Sequence, residues 1–377
     1  MTQNLGIILS LLVAFQLAFT AIFLFSHRKG NKRNNRLLAS VFALFAINLL
    51  DFISRATGYV FPNPLLHLVD ECLFFLYGPI LYFYTQGVVY QDFRLRRQHL
   101  FHGLPFFLVI AYLLIHLIFI EDPMDSTANE KITSVDFPPW MSLVGLFMYL
   151  HILIYLLFSN RVIKIYENVI KEKYSSIEAI NLDWLKFMIR TFILIIVVAM
   201  ISNLMPVIGN ADYLYLAILF LLVISFYFIN KVLIKALNQP KLFSGIHQKE
   251  TIKYAQSGVS LPEIESYKSQ LNSLMLTKRP YLNENLKSKD LAEELGVSSR
   301  VLSQIINQGF SQSFYDYVNT YRCEEVKRIL KNNDKKTTII EAMYQSGFNS
   351  KSSFNKEFKK LTGFTPSEYK KKVSKDL

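Results

Sequence analysis

Two short stretches in the last third of the chain combine small hydrogen-bonding side chains with basic ones. The first follows Gly296 and the second follows Gly347. In each, apolar residues recur every three or four positions, so the polar residues fall on the opposite face of a short helix. Such side chains can bond the edges of DNA bases and neutralise phosphates. The residues that we expect to contact DNA are Ser299, Arg300, Ser303, Gln304, Asn307, Lys351, Ser352, Asn355 and Lys356.

The residues around the first stretch predict a helix-turn-helix. Residues 289–295 form a short amphipathic helix that Gly296 ends, and Ser298 is placed to cap a second helix from Ser299 to Asn307. A helix, a turn with glycine and a capped second helix make up this motif. The residues that we expect the second helix to bury are Leu302, Ile305 and Ile306.

A similar unit is predicted further along the chain. Residues 338–345 form its first helix, Gly347 lies in the turn, and Ser350 caps a helix that runs through Leu361. Between the two units, Phe314–Lys331 has the apolar stripe of one long helix. The last third of the chain is therefore predicted to be a double helix-turn-helix module.

This arrangement resembles the DNA-binding domain of the AraC/XylS family of bacterial regulators. The resemblance implies that each recognition helix enters one major groove, so that one monomer reads about two turns of one DNA face. Arginine suits guanine, asparagine and glutamine suit adenine, and the lysines contact phosphates. The residues that carry the resemblance are Asp290–Ala292, Val297–Ser298, Leu302–Ser303, Ser313–Phe314, Tyr321–Arg322, Gly347–Ser350, Ser353–Phe354, Phe358–Lys360 and Gly363–Tyr369.

Three positions of the match depart from the family pattern. Val326 stands where the family usually has alanine, and Ala342-Met343 replaces a common Ile-Ala pair. All three are apolar, so we expect the packing to survive. Arg322, on the long helix, can either touch DNA or hold the two units together.

The first two thirds of the chain have a different composition. The whole chain of 377 residues is 51% hydrophobic and 14% aromatic, and the apolar residues concentrate before residue 230. A bilayer core needs about 20 apolar residues of helix. We therefore predict about seven membrane spans. They lie at Leu5–Phe25, Leu37–Ser54, Leu66–Gln86, Phe101–Ile120, Met141–Ser159, Trp184–Met205 and Tyr213–Ile229.

The connections between these stretches alternate in charge. The first, third and fifth are rich in Lys and Arg, as is the sequence after the last stretch, whereas the second, fourth and sixth are not. The positive-inside rule then places the N-terminus outside and the C-terminal third in the cytoplasm of a bacterial cell. The first stretch lacks the basic start of a signal peptide. We predict a transmembrane sensor domain at 1–237, a linker at 238–261 and a DNA-binding domain at 262–377.

Ionisable residues near the outer ends of the predicted spans are candidates for sensing a signal. They would line an outward-facing pocket for a small ligand or for protons. The alternative is that they are ordinary interfacial residues near helix ends. These candidates are Asp51, His67, Asp70, Glu71 and His116.

The sequence thus predicts an all-α protein, a polytopic transmembrane bundle followed by a cytoplasmic double helix-turn-helix. Its function would be that of a membrane-anchored transcription regulator that responds to a small-molecule or envelope signal. Double-stranded DNA and the lipid bilayer are its expected partners, with RNA polymerase and a second copy as further ones. The alternative is a transporter or receptor whose helix-turn-helix half binds protein. No cofactor is expected, and we find no nucleophile–base set, metal-ligand spacing or phosphate loop of an enzyme.

Overall fold

The computed structural model describes residues 2–27, 31–58, 69–70, 72–119, 139–204, 212–238, 261–331 and 337–373. Over these ranges the chain forms helices and no strand, which confirms the all-α prediction. The chain divides into two compact units. The N-terminal unit comprises Met1–Ile163 and Leu182–Ile246, and the C-terminal unit comprises Lys164–Asn181 and His247–Leu377. The predicted linker lies almost wholly outside the described residues.

Within the described residues, each of the seven predicted apolar stretches overlaps one helix of the N-terminal unit, and one of these helices continues into the C-terminal unit. A 3₁₀ turn, Arg97–Gly103, precedes the fourth helix. The helices are α1 (Thr2–Ser26), α2 (Lys32–Thr57), α3 (Phe74–Val89), α4 (Leu104–Phe119), α5 (Pro139–Lys173), α6 (Asp183–Leu204) and α7 (Asp212–Asn238).

Only some of these helices are long and apolar enough to cross a membrane on their own. Among the described residues there are four, Leu5–Ser26, Lys32–Thr57, Leu143–Lys173 and Asp183–Leu204, with Leu216–Val232 as a shorter apolar helix. The helices α3 and α4 have 16 residues each. The count of seven spans is therefore not confirmed, although the apolar helices themselves are present.

The outer surface of these helices is apolar. In α1, the side chains of Ile8, Phe15 and Ile22 are 60%, 74% and 67% exposed, while Val13 and Leu17 are buried. The three exposed residues lie seven positions apart, so they form one stripe along the helix. A helix that faces water carries polar residues on such a stripe, so this pattern is typical of a helix that faces lipid.

In the described part of the C-terminal unit there are seven further helices, and they confirm the predicted order of elements. A 3₁₀ turn, Pro280–Leu282, separates the first two. The helices are α8 (Leu261–Thr277), α9 (Ser288–Leu295), α10 (Ser299–Phe310), α11 (Phe314–Lys331), α12 (Ile339–Gln345), α13 (Lys351–Thr362) and α14 (Pro366–Val373).

The long helix α11 belongs to two hydrophobic cores. Its first half contributes Phe314 and Val318 to the core under α9 and α10. Its second half contributes Val326 to the core under α12 and α13. Val326 is fully buried, and Ala342 and Met343 are buried in the same core, so the departures from the family pattern are absorbed by apolar packing. Because both helix-turn-helix units pack against α11, this helix sets the spacing between them.

Candidate nucleic-acid interface

The first recognition helix, α10, begins where local chemistry requires it. Gly296 ends α9 in the left-handed region at φ 74°, where a side chain is disfavoured. The Ser298 hydroxyl then accepts a hydrogen bond from the Val301 N–H at 3.3 Å. This cap satisfies one of the free donors at the start of α10. Leu302, Ile305 and Ile306 are buried below the helix, as predicted.

The second recognition helix, α13, is positioned by an equivalent turn. Thr338 and Glu341 form a capping box at the start of α12. Gly347 has a φ of 83°, and a Cβ there would collide with the carbonyl oxygen of Tyr281. The Ser350 hydroxyl accepts from the Ser353 N–H at 3.4 Å and caps α13.

The predicted DNA-contacting side chains differ in exposure. Ser299 and Gln304 are half-buried, and Ser303 is buried. The exposed ones are Arg300, Asn307, Lys351, Ser352, Asn355 and Lys356. Each recognition helix therefore presents hydrogen-bonding and cationic groups on its outer face. Contact with DNA stays a prediction for all nine residues.

The prediction that Ser303 faces outward is wrong for this structure. Its side chain is 5% exposed and hydrogen-bonds Glu172, which lies at the end of α5. The Asn307 side-chain amide also donates to a Glu172 carboxylate oxygen, at 3.3 Å. Periodicity along α10 cannot reveal this contact, because Glu172 comes from more than a hundred residues earlier in the sequence.

Arg322 is buried at the centre of the C-terminal unit. Its guanidinium donates to the carbonyl oxygens of Tyr281, Asn283 and Ser175 at 2.8, 2.8 and 2.9 Å, and to the Ser175 hydroxyl at 3.0 Å. It also lies over the ring of Phe348. Burial lowers the pKa of Arg322 to about 10, so the side chain stays charged at neutral pH. Of the two roles predicted for Arg322, the structure favours the one in which it holds the two helix-turn-helix units together.

Polar contacts between α11 and α13 reinforce this arrangement. Lys360 pairs with Asp316 at 2.7 Å, and the Asp316 carboxylate raises the pKa of that lysine. The Tyr315 hydroxyl lies 3.0 Å from the Ser353 hydroxyl and donates to Glu357 at 3.4 Å. The separation of the recognition helices therefore rests on specific contacts as well as on apolar packing.

The candidate sensing residues of the N-terminal unit lie in polar contacts of their own. Asp70 is buried and accepts a hydrogen bond from the amide of Asn48, whose oxygen in turn accepts from the Tyr77 hydroxyl. Asp51 is buried and pairs with Arg55 at 2.7 Å. The sequence alone does not single out Asn48 or Tyr77, because neither is a carboxylate, a histidine or a basic residue within an apolar stretch.

The other three candidates cannot be placed in this way. His67 and Glu71 lie outside the described residues, and of His116 only the position on α4 is described. In the described parts of the chain, no group of three or more His, Cys, Asp and Glu residues could hold a metal ion.

Comparison with known proteins supports the assignment of the C-terminal module. Residues 291–372 match the family model described as a helix-turn-helix domain. The chain is 33% identical over 90 residues to uncharacterized HTH-type transcriptional regulators of Staphylococcus aureus strains COL and N315. It is 26% identical over 103 residues to an uncharacterized HTH-type transcriptional regulator in the cgkA 5′ region of Pseudoalteromonas carrageenovora. No solved structure gives a significant match.

These matches concern one part of the chain. The match to the staphylococcal regulators covers 24% of this chain and 12% of their length. The match to the Pseudoalteromonas regulator covers 27% of this chain and 59% of that protein. The chain thus contains a C-terminal helix-turn-helix domain of the kind found in transcriptional regulators.

Proposed function

We propose that this protein is a membrane-anchored, sequence-specific DNA-binding transcription regulator. Its N-terminal unit anchors it in the bacterial cytoplasmic membrane and senses a signal. Its C-terminal unit places α10 and α13 in two consecutive major grooves of a promoter. Base edges are read by the polar face of α10, and the phosphates are bound mainly by the lysines of α13.

The observation that carries this proposal is the pair of capped recognition helices on one shared helix. Both helices have an exposed polar or cationic side, and α11 with its buried Arg322 fixes their separation. A protein-binding surface would need apolar anchors, whereas the exposed residues of α10 and α13 are chiefly Arg, Lys, Asn and Ser. This composition supports DNA over a protein partner.

Two observations support a cytoplasmic position for the C-terminal unit. Residues 164–181 belong to the same compact unit as the helix-turn-helix domain, and two apolar helices, α6 and α7, separate them along the chain. An even number of crossings returns the chain to the same side. Residues 161–173 include Arg161, Lys164, Lys171 and Lys173, which the positive-inside rule assigns to the cytoplasm.

The proposal is tested by mapping the DNA that the full-length protein binds in its own cell. We expect enrichment at a limited set of promoters that share a motif spanning about two helical turns. The double variant Arg300→Ala, Lys356→Ala is the control, since it should lose these sites while remaining in the membrane fraction. Uniform background binding by both proteins would contradict a sequence-specific regulator.

Membrane anchoring and orientation need a separate test. A reporter that is active only in the cytoplasm, fused after Leu377, should be active, and one fused before Thr2 should not. The protein should also stay in the membrane fraction after washing with high salt. An inactive reporter at the C-terminus, or an active one at the N-terminus, would contradict the proposed topology.

A further inference from the structure

A short stretch at the end of α5, residues 172–178, packs against the helix-turn-helix domain within the C-terminal unit. We call it the docked segment. Tyr174 forms an isolated antiparallel bridge with Lys287. The backbone N–H and the hydroxyl of Ser175 both donate to the carbonyl oxygen of Leu286, at 3.2 and 2.7 Å. Both contact points lie immediately before α9, where the first helix-turn-helix begins.

The docked segment also satisfies the central arginine. Two of the four hydrogen bonds of Arg322 go to Ser175, one to its carbonyl oxygen and one to its hydroxyl. Arg322 is 1% exposed and Ser175 is 1% exposed. A buried charge is tolerated only when its donors have partners. The segment is therefore part of the structure around Arg322 and is not a loop lying loosely on the surface.

The segment reaches both helix-turn-helix units. Glu172 accepts hydrogen bonds from Asn307 and Ser303, on the predicted reading face of α10. The Ser176 hydroxyl donates to the side-chain oxygen of Asn349 at 2.8 Å, in the turn before α13. The segment thus extends from the first recognition helix to the turn that positions the second.

This position conflicts with bound DNA. Ser303 and Asn307 cannot bond base edges while they bond Glu172. A carboxylate at this place would also face DNA phosphates, which carry the same charge. The neighbouring Lys171 and Lys173 are attractive to phosphate, so the conflict lies in the bonds and in Glu172 and not in the net charge of the stretch.

We infer that the docked segment and DNA occupy the face between the two recognition helices in turn, so that the segment holds the domain closed until it is withdrawn. This inference rests on the proposed function, since it concerns the regulation of the same DNA site. The helix α5 is continuous from its apolar stretch to Lys173. A displacement of α5 therefore moves Glu172, and this links a change in the N-terminal unit to the recognition helix.

A reversible lock tests the inference in the full-length protein, reconstituted in lipid nanodiscs. The pair Tyr174→Cys, Lys287→Cys faces across the antiparallel bridge, where Cα atoms lie about 4.5–5.5 Å apart, within the range of a disulfide. Neither residue is a predicted DNA contact. The native Cys323 does not compete, because it is buried and burial raises its thiol pKa to about 12.

The disulfide between the two introduced cysteines should form readily on oxidation. It should weaken binding to a mapped promoter fragment by on the order of tenfold or more, because a smaller fraction of the molecules is then able to bind DNA. Reduction should restore binding. Equal binding in both redox states, or a pair that fails to cross-link, would overturn the inference. Absence of binding by the wild type, the reduced lock and the variant below alike would overturn the proposed function, and this inference with it.

A second variant acts in the opposite direction. Glu172→Gln removes the carboxylate and weakens its bonds to α10, and it should tighten DNA binding by about fivefold. Glu167→Gln is the matched control, since it makes the same change of charge on another face of the same helix. An equal gain in both variants would mean that net charge, and not docking, sets the affinity, and would contradict the inference.

Discussion

The two recognition helices share one architecture but differ in their chemistry. In α10, Arg300 is the only basic side chain among the predicted contacts, and two of the others bond Glu172. In α13, all four predicted contacts are exposed, and two of them are lysines. Base edges are read by directional hydrogen bonds, whereas phosphates need only positive charge. We therefore expect α10 to carry sequence discrimination and its control, and α13 to carry general affinity.

The largest effect is expected from Arg322, on which both helix-turn-helix units depend. Arg322→Ala removes four hydrogen bonds and leaves the carbonyl oxygens of Tyr281, Asn283 and Ser175 without that donor. The free energy of unfolding of the C-terminal unit should fall by about 3 kcal/mol or more. The rate at which a thiol reagent labels the buried Cys323 measures this loss.

A second arginine of α11 provides the control for that experiment. Arg328 is about half exposed and pairs with Glu325 at 2.7 Å. Arg328→Ala should change the unfolding free energy by about 1 kcal/mol at most, as for other surface pairs. Equal labelling rates of Cys323 in the two variants would show that Arg322 does not hold the units together.

Arg300→Ala probes the reading role of α10. If Arg300 bonds a guanine, its loss should cost about 1–3 kcal/mol at one operator position and relax the preference for that base. Binding to a set of promoter fragments with each base at each position measures this. A uniform loss across all fragments would assign Arg300 to phosphate contact and remove the contrast between the two helices.

Lys356→Ala probes the role of α13 and should have a smaller effect. Binding should weaken by a similar factor for every fragment, and the slope of log K against log salt should become shallower by about one. The preferred operator sequence should not change. A shifted base preference in this variant would mean that α13 also reads sequence.

The smallest effect is expected from acid. The Thr338 N–H and the Thr365 N–H donate to the carboxylates of Glu341 and Glu368, and these bonds lower the pKa of both glutamates. A carboxylate whose pKa is lowered in the folded protein stabilises that state when the pH is above the ordinary glutamate pKa of 4.5. The stabilisation is lost as the pH falls through the lowered pKa of the folded state. The melting temperature should therefore decrease as the pH is lowered below about 4.5.

The matched variant for the acid experiment is Glu341→Gln, Glu368→Gln, which keeps the side-chain length but does not titrate. Its melting temperature should depend less on pH between about 5 and 3 than that of the wild type. Parallel curves for the two proteins would mean that these caps contribute no pH dependence.

The helix-turn-helix domain could be predicted in detail because its signals are local. Ser298, Ser350 and Thr338 cap helices within three residues, and Gly296 ends α9 through its own backbone freedom. The predicted helix boundaries therefore agree with the structure to within a few residues. The sequence does not decide between the two roles of Arg322, because its partners, Tyr281, Asn283 and Ser175, are distant in sequence.

The docking of residues 172–178 could not be predicted, because it depends on contacts across more than a hundred residues. Ser303 has the spacing of an outward residue, and only the position of Glu172 makes it buried. In the same way, the spacing of Asp70 relative to His67 does not indicate its hydrogen bond with Asn48, which lies 22 residues before it. Periodicity gives the face of a helix but not what covers that face.

The most direct test of the central claim is the salt dependence of DNA binding by the full-length protein in nanodiscs. With three or more phosphate contacts, log K for a mapped promoter should fall against log salt with a slope of about −3 or steeper. At each salt concentration the mapped promoter should bind more tightly than unrelated DNA of equal length. A flat slope, or equal binding to both fragments, would contradict the account of a sequence-specific DNA-binding regulator.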